Sequence, residues 1–258
     1  MQLVKVKYNH PYLATMSFDR WARFYDLIYS SYKDDVAFYT RLAKEHDGNI
    51  LEIGCGTGRI YLEILKQEKD IEGIDISEAM LERCKSKAKL MGLKAKVYRQ
   101  DMKSFSLKKS YSLVIIPFRA FLHNLTTKDQ LSCLRCIRDH MAQDGLLVLN
   151  FFFPNPEIMS SDYGKNEETE IGSEDGRYLL SRVTRFNDET EQIIDVHETV
   201  SKGEEILMQE RFPIALIYKK EFELLLKQIG FASYDVYGGF DKRPLSSYRQ
   251  EMVWFVHR

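Results

Sequence analysis

The chain has 258 residues, 44% of them apolar, and a formal net charge of −1 with acids and bases interspersed. This length suits one α/β domain with an insertion, or two small domains, and the apolar content argues against a disordered chain. Proteins that bind nucleic acid usually carry a basic excess or a basic stripe, so no nucleic-acid partner is predicted. No run reaches the ~18 apolar residues of a membrane helix, so no membrane partner is predicted either.

The cysteines and the N-terminal segment bear on location. Four cysteines in a chain of this length do not make a disulfide framework, and the N-terminus has no apolar signal core. We therefore expect a cytoplasmic protein. Cys133 and Cys136 form one Cys-x-x-Cys pair in a segment with helical apolar spacing, without a second pair of zinc ligands nearby. The pair is predicted to pack within a helix, and no metal site is predicted.

Apolar runs and turn residues predict alternating strands and helices up to residue 153. Residues 18–44 are predicted to form one or two amphipathic helices. The elements predicted next are strand 49–53, helix 58–66, strand 70–76, helix 78–90, strand 96–99, strand 111–116, helix 128–141 and strand 146–153. Short apolar strands alternating with helices indicate a parallel sheet covered on both faces.

The pattern changes after Pro156. An acidic loop is predicted over 162–176, and three strands over 177–186, 192–201 and 205–217, joined by turns short enough for an antiparallel meander. Helix 219–229 and strands 232–237 and 252–257 complete the chain. The predicted organisation is a helical cap (1–44), an α/β core (45–153 and 218–258) and a β insertion (154–217).

A glycine-rich turn follows the first strand of the core. Glycines fall at 54, 56 and 58, preceded by Glu52. A dinucleotide-binding turn has the spacing G-x-G-x-x-G, and Arg59 stands where its third glycine would be. Glycine is needed where the backbone passes close to a ligand or takes a positive φ. By itself such a turn is also compatible with a purely structural strand–helix joint.

Acidic residues follow the next two strands. An acid at the position of Asp75 can accept hydrogen bonds from both ribose hydroxyls of a nucleoside lying across the strand ends. Asp101 can accept from an adenine amino group, with Met102 as an apolar wall. Because ligands of open α/β sheets bind outside the carboxyl ends of the strands, these residues and the glycine turn predict one nucleoside site.

These motifs together resemble those of the class I methyltransferases that use S-adenosylmethionine (SAM). The resemblance covers about residues 45–153 and implies SAM as cofactor and a Rossmann-like sheet of seven mostly parallel strands, the last antiparallel. The cofactor residues it implies are Tyr25, Glu52, Gly54, Cys55, Gly56, Thr57, Gly58, Asp75, Ile76, Asp101, Met102 and Pro117. The three-stranded insertion and tyrosine-rich N-terminal helix look like those of sugar N-methyltransferases and glycine N-methyltransferase-like enzymes. In that subgroup the insertion would overhang the site and help form a homodimer.

Candidate catalytic residues follow the fourth strand and lie in the cap. Methyl transfer from a sulfonium requires a positioned nucleophile, exclusion of water and, where needed, removal of a proton. His123 is a candidate general base, and Arg119 could bind a carboxylate or phosphate. Tyr25 could close over the methionine part of the cofactor. Each has a plainer alternative: packing for His123 and Tyr25, and an ion pair with a nearby acid for Arg119.

The absence of two sequence motifs restricts the class of molecule that could accept the methyl group. Pro117 stands alone, without the Pro-Pro-Tyr/Phe pattern of enzymes that methylate nucleic-acid or protein amide nitrogens, and no Pro-Cys pair supports a cytosine mechanism. We therefore predict methyl transfer to N or O of a small molecule. A SAM-binding regulator without catalysis remains the alternative, followed by a nicotinamide-dependent oxidoreductase.

Overall fold

A computed structural model describes residues 18–173 and 176–258. The helices are α1 Phe18–Ile28, α2 Asp34–Glu45, α3 Tyr61–Leu65, α4 Glu78–Leu90, α5 Thr127–His140, α6 Pro156–Ser161 and α7 Lys219–Ile229. The strands are β1 Ile50–Ile53, β2 Ile71–Asp75, β3 Val97–Arg99, β4 Tyr111–Ile116, β5 Met141–Phe152, β6 Asn166–Ser173, β7 Gly176–Asp188, β8 Ile193–Lys202, β9 Glu205–Ala215, β10 Ser233–Tyr237 and β11 Glu251–His257. Residues 1–17 of the predicted cap lie outside the described residues.

Seven strands form the central sheet, in the order β10-β11-β5-β4-β1-β2-β3. Strands β1 to β5 are parallel to one another, whereas β11 lies antiparallel between β5 and β10. This confirms the predicted Rossmann-like sheet with an antiparallel last strand. The chain leaves β1 on one side for β2 and β3 and on the other for β4 and β5. The carboxyl end of β1 is therefore the switch point, where ligands of such sheets bind.

Both faces of the sheet are buried. On β4, Leu113 and Ile115 pack into one apolar layer, while Val114 and Ile116 pack into the other. Because neighbouring side chains of a strand point to opposite faces, a strand that is apolar at every position must be covered twice. Helices α3 and α4 contact β2 on one side of the switch point, and α5 packs against α7 on the other.

The insertion forms a separate antiparallel sheet of four strands, in the order β6-β7-β8-β9. The prediction of three strands is wrong by one, because β6 (Asn166–Ser173) occupies most of the segment predicted as a loop. Its sequence, NEETEIGS, is acidic and lacks an apolar alternation. Natural edge strands often carry charge because charge discourages pairing with other chains, which removes the pattern that identifies a strand.

Helix α1, called the cap helix below, joins the insertion sheet (β6–β9) to the core. Its apolar side chains Trp21, Phe24 and Ile28 share one buried cluster with Met80 of α4 and with residues of the insertion sheet such as Val200. The same helix therefore rests on both parts of the molecule. Among the described residues no helix is both long and apolar enough to cross a membrane.

Candidate active site

A cavity of about 840 Å³ lies where the carboxyl ends of the core strands meet the cap helix and the insertion sheet. Ligand pockets are typically ~300–1,000 Å³, so this volume is at the upper end of the range and suits a cofactor with a second small molecule. The sequence-predicted site residues that line it are Tyr25, Gly54, Gly56, Asp75, Ile76, Asp101, Met102, Pro117, Arg119 and His123.

The glycine turn (residues 54–58) depends on its glycines for geometry. Gly54, Gly56 and Gly58 all have positive φ, at 71°, 53° and 84°. The backbone N–H groups of Gly54 and Cys55 both donate to the carbonyl of Ile74, at 2.8 and 3.0 Å, which ties the turn to the end of β2. A side chain at Gly58 would approach the sulfur of Cys84 to 2.6 Å. The turn therefore brings backbone to the cavity and packs tightly behind it.

The carboxylate of Asp75 organises the strand ends. Its two oxygens accept hydrogen bonds from the backbone N–H groups of Gly56 and Ser77, each at 2.9 Å. Burial raises the pKa of this carboxyl, against these hydrogen bonds, which lower it. Each carboxylate oxygen can accept a second hydrogen bond. Asp75 is thus fixed in place and still has acceptor capacity for two hydroxyl groups.

Two apolar side chains and one more acid line the same end of the cavity. Ile76 is 52% exposed although it is large and apolar, so it offers a bare surface next to Asp75. The sulfur of Met102 is 3.1 Å from the amide nitrogen of buried Asn124. Asp101 accepts from the backbone N–H of Lys103 at 2.9 Å. Apolar surface beside fixed carboxylates suits a flat heterocycle with an attached ribose.

Four of the predicted cofactor residues make their described contacts with protein and are not among the cavity-lining residues: Glu52, Cys55, Thr57 and Gly58. The hydroxyl of Thr57 donates to Asp26 at 2.6 Å. Burial holds the pKa of Glu52 well above its usual value. In the structure these residues support the turn from behind, and direct cofactor contact stays a prediction for them.

Arg59 links the glycine turn to the cap. Its guanidinium donates to both oxygens of Asp35, at 2.7 and 2.5 Å, and lies 4.6 Å from the ring centre of Phe118. It also donates to the backbone carbonyl of Tyr32 at 3.0 Å. Arg59 stands where a dinucleotide-binding turn would have its third glycine, and here it connects the glycine turn to Asp35 of α2 and to Phe118.

The loop after β4 has a strained backbone. Phe118 and Arg119 have φ of 52° and 66°, a region that non-glycine residues rarely adopt. Asn150 at the end of β5 holds the loop there: its amide oxygen accepts from the backbone N–H of Phe118 at 3.1 Å and from the hydroxyl of Tyr39 at 2.8 Å. This role was not predictable from the sequence, in which Asn150 appears only as a polar residue within an apolar strand.

Arg119 is ion-paired. Its Nη2 donates to Glu251 at 3.0 Å and its Nε to the same carboxylate at 3.3 Å. Glu251 also accepts from the amide of Asn150 at 2.8 Å, so the pair belongs to the clamp on the loop. The contacts of Arg119 are those of the simpler alternative, an ion pair with a nearby acid. Binding of an acceptor carboxylate or phosphate by Arg119 stays a prediction.

His123 faces the cavity from the 3₁₀ turn Ala120–His123. Among the described residues, the buried Nδ1 of its ring has no hydrogen-bond partner. Burial lowers the pKa of His123 to about 4. The ring is therefore neutral at pH 7.

Three aromatic rings from the cap form another wall. Tyr25 lies between Trp21 and Tyr29, with ring centres 5.0 Å from each. The two outer residues share one partner in the insertion sheet: Glu198 accepts from the Trp21 indole N–H at 2.8 Å and from the Tyr29 hydroxyl at 3.1 Å. Sequence reasoning missed Trp21 and Glu198, whose contact spans 177 residues.

Comparison with known proteins identifies the chemistry. Residues 50–145 match the family described as methyltransferase domain. Over 223 residues the chain is 24% identical to the dTDP-3-amino-3,4,6-trideoxy-α-D-glucopyranose N,N-dimethyltransferase of Streptomyces venezuelae, an alignment that covers 84% of this chain and 89% of that one. The chain is a class I SAM-dependent methyltransferase.

Solved structures of methyltransferases have the same fold as this one. A SAM-dependent methyltransferase from Clostridium acetobutylicum aligns with a TM-score of 0.74 at 15% identity, covering 93% of this chain and 98% of that one. The SAM-bound amino pentose methyltransferase CalS10 from Micromonospora echinaspora aligns with a TM-score of 0.68 at 19% identity, covering 93% and 98%. Because 93% of the chain is covered, the match extends beyond the core into the insertion sheet.

The cavity of the methyltransferase fits SAM on the structure's own terms. Asp75 has acceptor capacity for the two ribose hydroxyls, Ile76 offers an apolar face for adenine, and the turn brings the backbone of Gly54 and Gly56 to the cavity wall for the amino-acid part. The aromatic wall stands beside the remaining part of the cavity, where the acceptor would enter.

Proposed function

We propose that the methyltransferase transfers a methyl group to the amino group of a small polar molecule of the amino-sugar class. The observation that carries this is the cavity itself, which is bounded by the core, the cap helix and the insertion sheet and has room for a second small ligand. Relatives that align over most of the chain support the acceptor class, since one is named for N,N-dimethylation of a dTDP-linked amino sugar and one for an amino pentose.

Bound SAM would supply an activated methyl group on a positively charged sulfur. The amine nitrogen forms the new bond to that carbon as the carbon–sulfur bond breaks, and the acceptor nitrogen then gives up a proton. The chain's part is to hold the nucleophile in line and to exclude water. In this proposal Trp21, Tyr25 and Tyr29 cover the reacting groups, and their ring faces suit a cation.

His123 would orient the acceptor in this scheme. Its ring is neutral and lines the cavity, so a ring nitrogen that carries no proton can accept from an amine N–H and leave the nitrogen lone pair directed elsewhere. With a pKa near 4 it is a weak proton acceptor. Orientation of the amine, with the proton finally passing to solvent, is the role that these properties favour.

Basic groups near the outer part of the cavity suit an acceptor that also carries negative charge. Arg119 and Arg249 both line it, as does Tyr248. The Arg249 guanidinium is paired with Glu157 at 2.5 Å, and both side chains remain more than half exposed. An exposed ion pair is worth little, so a phosphate or carboxylate could take over the arginine at small cost.

We also propose that the insertion over residues 154–217 acts as a lid, that residues 1–44 form the cap, and that the protein is a cytoplasmic homodimer. Three fully or largely buried free thiols, Cys55, Cys84 and Cys133, suit a reducing compartment. Ile206, 61% exposed on the insertion sheet, supports an association surface there. Light scattering of the wild type and of Ile206→Asp tests the dimer, and a monomeric wild type would contradict it.

The acceptor class is tested by incubating the enzyme with SAM and a matched panel: a nucleotide-linked amino sugar, the same sugar with hydroxyl in place of amine, and simple amines, phenols and carboxylic acids. Release of S-adenosylhomocysteine (SAH) with the amino sugar, and none with its hydroxyl analogue, is expected. Turnover of phenols or acids instead would overturn the amine assignment while leaving the methyltransferase chemistry intact.

A further inference from the structure

One acid of the insertion sheet stands out because its neighbours on the same face of its own strand are apolar. Glu198 is 0% exposed, and it shares the inner face of β8 with Ile194, Val196 and Val200, since alternate residues of a strand point the same way. Burying a carboxylate is costly unless it is well paired, and an apolar residue would pack on this face at lower cost. The retained charge therefore needs a reason beyond stability of the sheet.

The contacts of Glu198 reach in two directions. Within the sheet it lies directly opposite Arg182 of β7, whose Nε donates to it at 2.8 Å. Across to the cap helix it accepts from Trp21 at 2.8 Å and from Tyr29 at 3.1 Å. One buried carboxylate thus joins β7 and β8 of the insertion sheet to the two outer rings of the aromatic wall, Trp21 and Tyr29.

Both outer rings of the wall donate a hydrogen bond to this one carboxylate. Tyr25, between them, is held by packing on the other two rings. Trp21 also lies against Phe212 of β9, with ring centres 4.8 Å apart. The aromatic contacts hold the cap helix against the insertion sheet without fixing one orientation. The hydrogen bonds to Glu198 are directional, so they fix the rotation of the cap helix and the direction of its rings.

We propose that Glu198 is a positioning residue for cofactor binding: it holds Trp21 and Tyr29 so that the cap closes over bound SAM, and it sets how fast SAH leaves. For the cofactor to exchange, the cap must move from the insertion sheet, and the hydrogen bonds to Glu198 must break. This role does not depend on the identity of the acceptor.

The chain offers a matched control on the same strand. Asp195 of β8 is also buried and is also paired with an arginine of the neighbouring strand, Arg211, at 2.6 Å. It further accepts from Asn187 at 3.0 Å, and it is not among the described cavity-lining residues. Asp195→Asn therefore disturbs the insertion sheet as Glu198→Gln does, without removing a bond to the cap helix.

The test compares Glu198→Gln with Asp195→Asn by SAH calorimetry, SAH dissociation rates and hydrogen exchange of the backbone amides of 18–29. We expect Glu198→Gln to weaken SAH roughly tenfold, mainly through faster dissociation, and to speed exchange in the cap helix. The KM for SAM should rise more than kcat falls. Asp195→Asn should bind SAH within about twofold of wild type. Equal losses in both variants, or wild-type affinity and exchange in Glu198→Gln, would overturn the proposal.

A second variant with a smaller structural change tests the same contact if Glu198→Gln does not fold. Tyr29→Phe removes one hydroxyl and leaves the Glu198–Arg182 pair in place. It should weaken SAH roughly threefold to tenfold with the same signature of faster dissociation. Wild-type affinity and dissociation in Tyr29→Phe would contradict the role of this contact and with it the proposal.

Discussion

The carboxylate of Asp75 accepts a hydrogen bond from the backbone N–H of Gly56 at 2.9 Å, so the end of β2 and the turn after β1 form one unit. The same carboxylate accepts from Ser77, whose hydroxyl caps α4 by accepting from Met80. The first two strands and the helix after the second are thereby aligned around a single side chain. A cofactor that binds Asp75 would meet a surface set before binding.

Replacing Asp75 should therefore weaken SAM binding. Asp75→Ala removes the proposed ribose acceptor and both backbone hydrogen bonds, and we expect a loss of about 1–3 kcal/mol in SAM binding free energy by calorimetry. Asp70→Asn is the control, because Asp70 precedes the same strand and pairs with Lys96 and Lys109 at the other end. Unchanged SAM affinity in Asp75→Ala would remove Asp75 from the site.

Gly58 is predicted to be required for packing as well as for conformation. Gly58→Ala places a methyl group 2.6 Å from the Cys84 sulfur at a φ of +84°, so its cost combines steric overlap with backbone strain. We expect a loss of roughly 2–4 kcal/mol in the free energy of unfolding by urea denaturation. Gly92→Ala has φ +71° with no atom within 4 Å, so it isolates the strain alone and should cost roughly 1 kcal/mol. Equal losses at both positions would show that crowding contributes nothing.

His123 gives a pH-dependent contribution to stability with a defined sign. Its pKa is about 4 in the folded protein against a model-peptide value of 6.5. Between these values the unfolded chain binds the proton and the folded chain does not, so the free energy of unfolding falls as pH drops from 6.5 towards 4. His123→Asn should flatten this dependence in denaturant titrations at several pH values. The same slope in the variant would contradict a neutral, buried ring.

The same variant tests the proposed orienting role. His123→Asn should lower kcat while leaving SAM affinity unchanged, because in the proposed scheme His123 contacts the acceptor and not the cofactor. The acid side of the kcat/KM profile should follow the acceptor's own pKa, since the histidine does not titrate near neutrality. Wild-type turnover in His123→Asn would remove this residue from the chemistry.

Asn150 is expected to hold the strained loop after β4. It is 1% exposed, and Asn150→Ala removes acceptors for Phe118 and Tyr39 and a donor to Glu251. We expect a loss of about 3 kcal/mol in the free energy of unfolding, with a further fall in kcat as Phe118 and Arg119 relax. Tyr39→Phe removes one of these bonds and should cost about 1 kcal/mol without lowering kcat. A wild-type kcat in Asn150→Ala would separate the loop conformation from catalysis.

Elements with local signals were predictable from the sequence. Strand β4 and helix α7 have the predicted bounds, because one is apolar at every position except Ser112 and the other ends at Gly230 with φ 85°. Strand β6 was not predictable, since an exposed acidic edge strand reads as a loop. Helix α6 also went unpredicted, although Asn155 caps it by accepting from Glu157 at 2.9 Å and Pro156 begins it, because it has only six residues.

The residues of the candidate site likewise include some that were predictable from the sequence and some that were not. The glycine turn, Asp75 and Asp101 were found because they follow strands that the sequence itself marks. The partners of the covering elements were not, since Trp21 and Glu198 are 177 positions apart and Arg119 and Glu251 are 132 apart. Such pairs are decided by how the insertion sheet and the last strand fold back over the core, which no local pattern records.

The most direct test of the central claim is a single-turnover reaction of the purified chain with methyl-labelled SAM and a nucleotide-linked amino sugar. We expect label to move to the sugar nitrogen in step with SAH release, and we expect Asp75→Ala to slow both because it binds SAM more weakly. Tight SAM binding with no label transferred to any amine would contradict it, and would assign the chain to cofactor binding without methyl transfer.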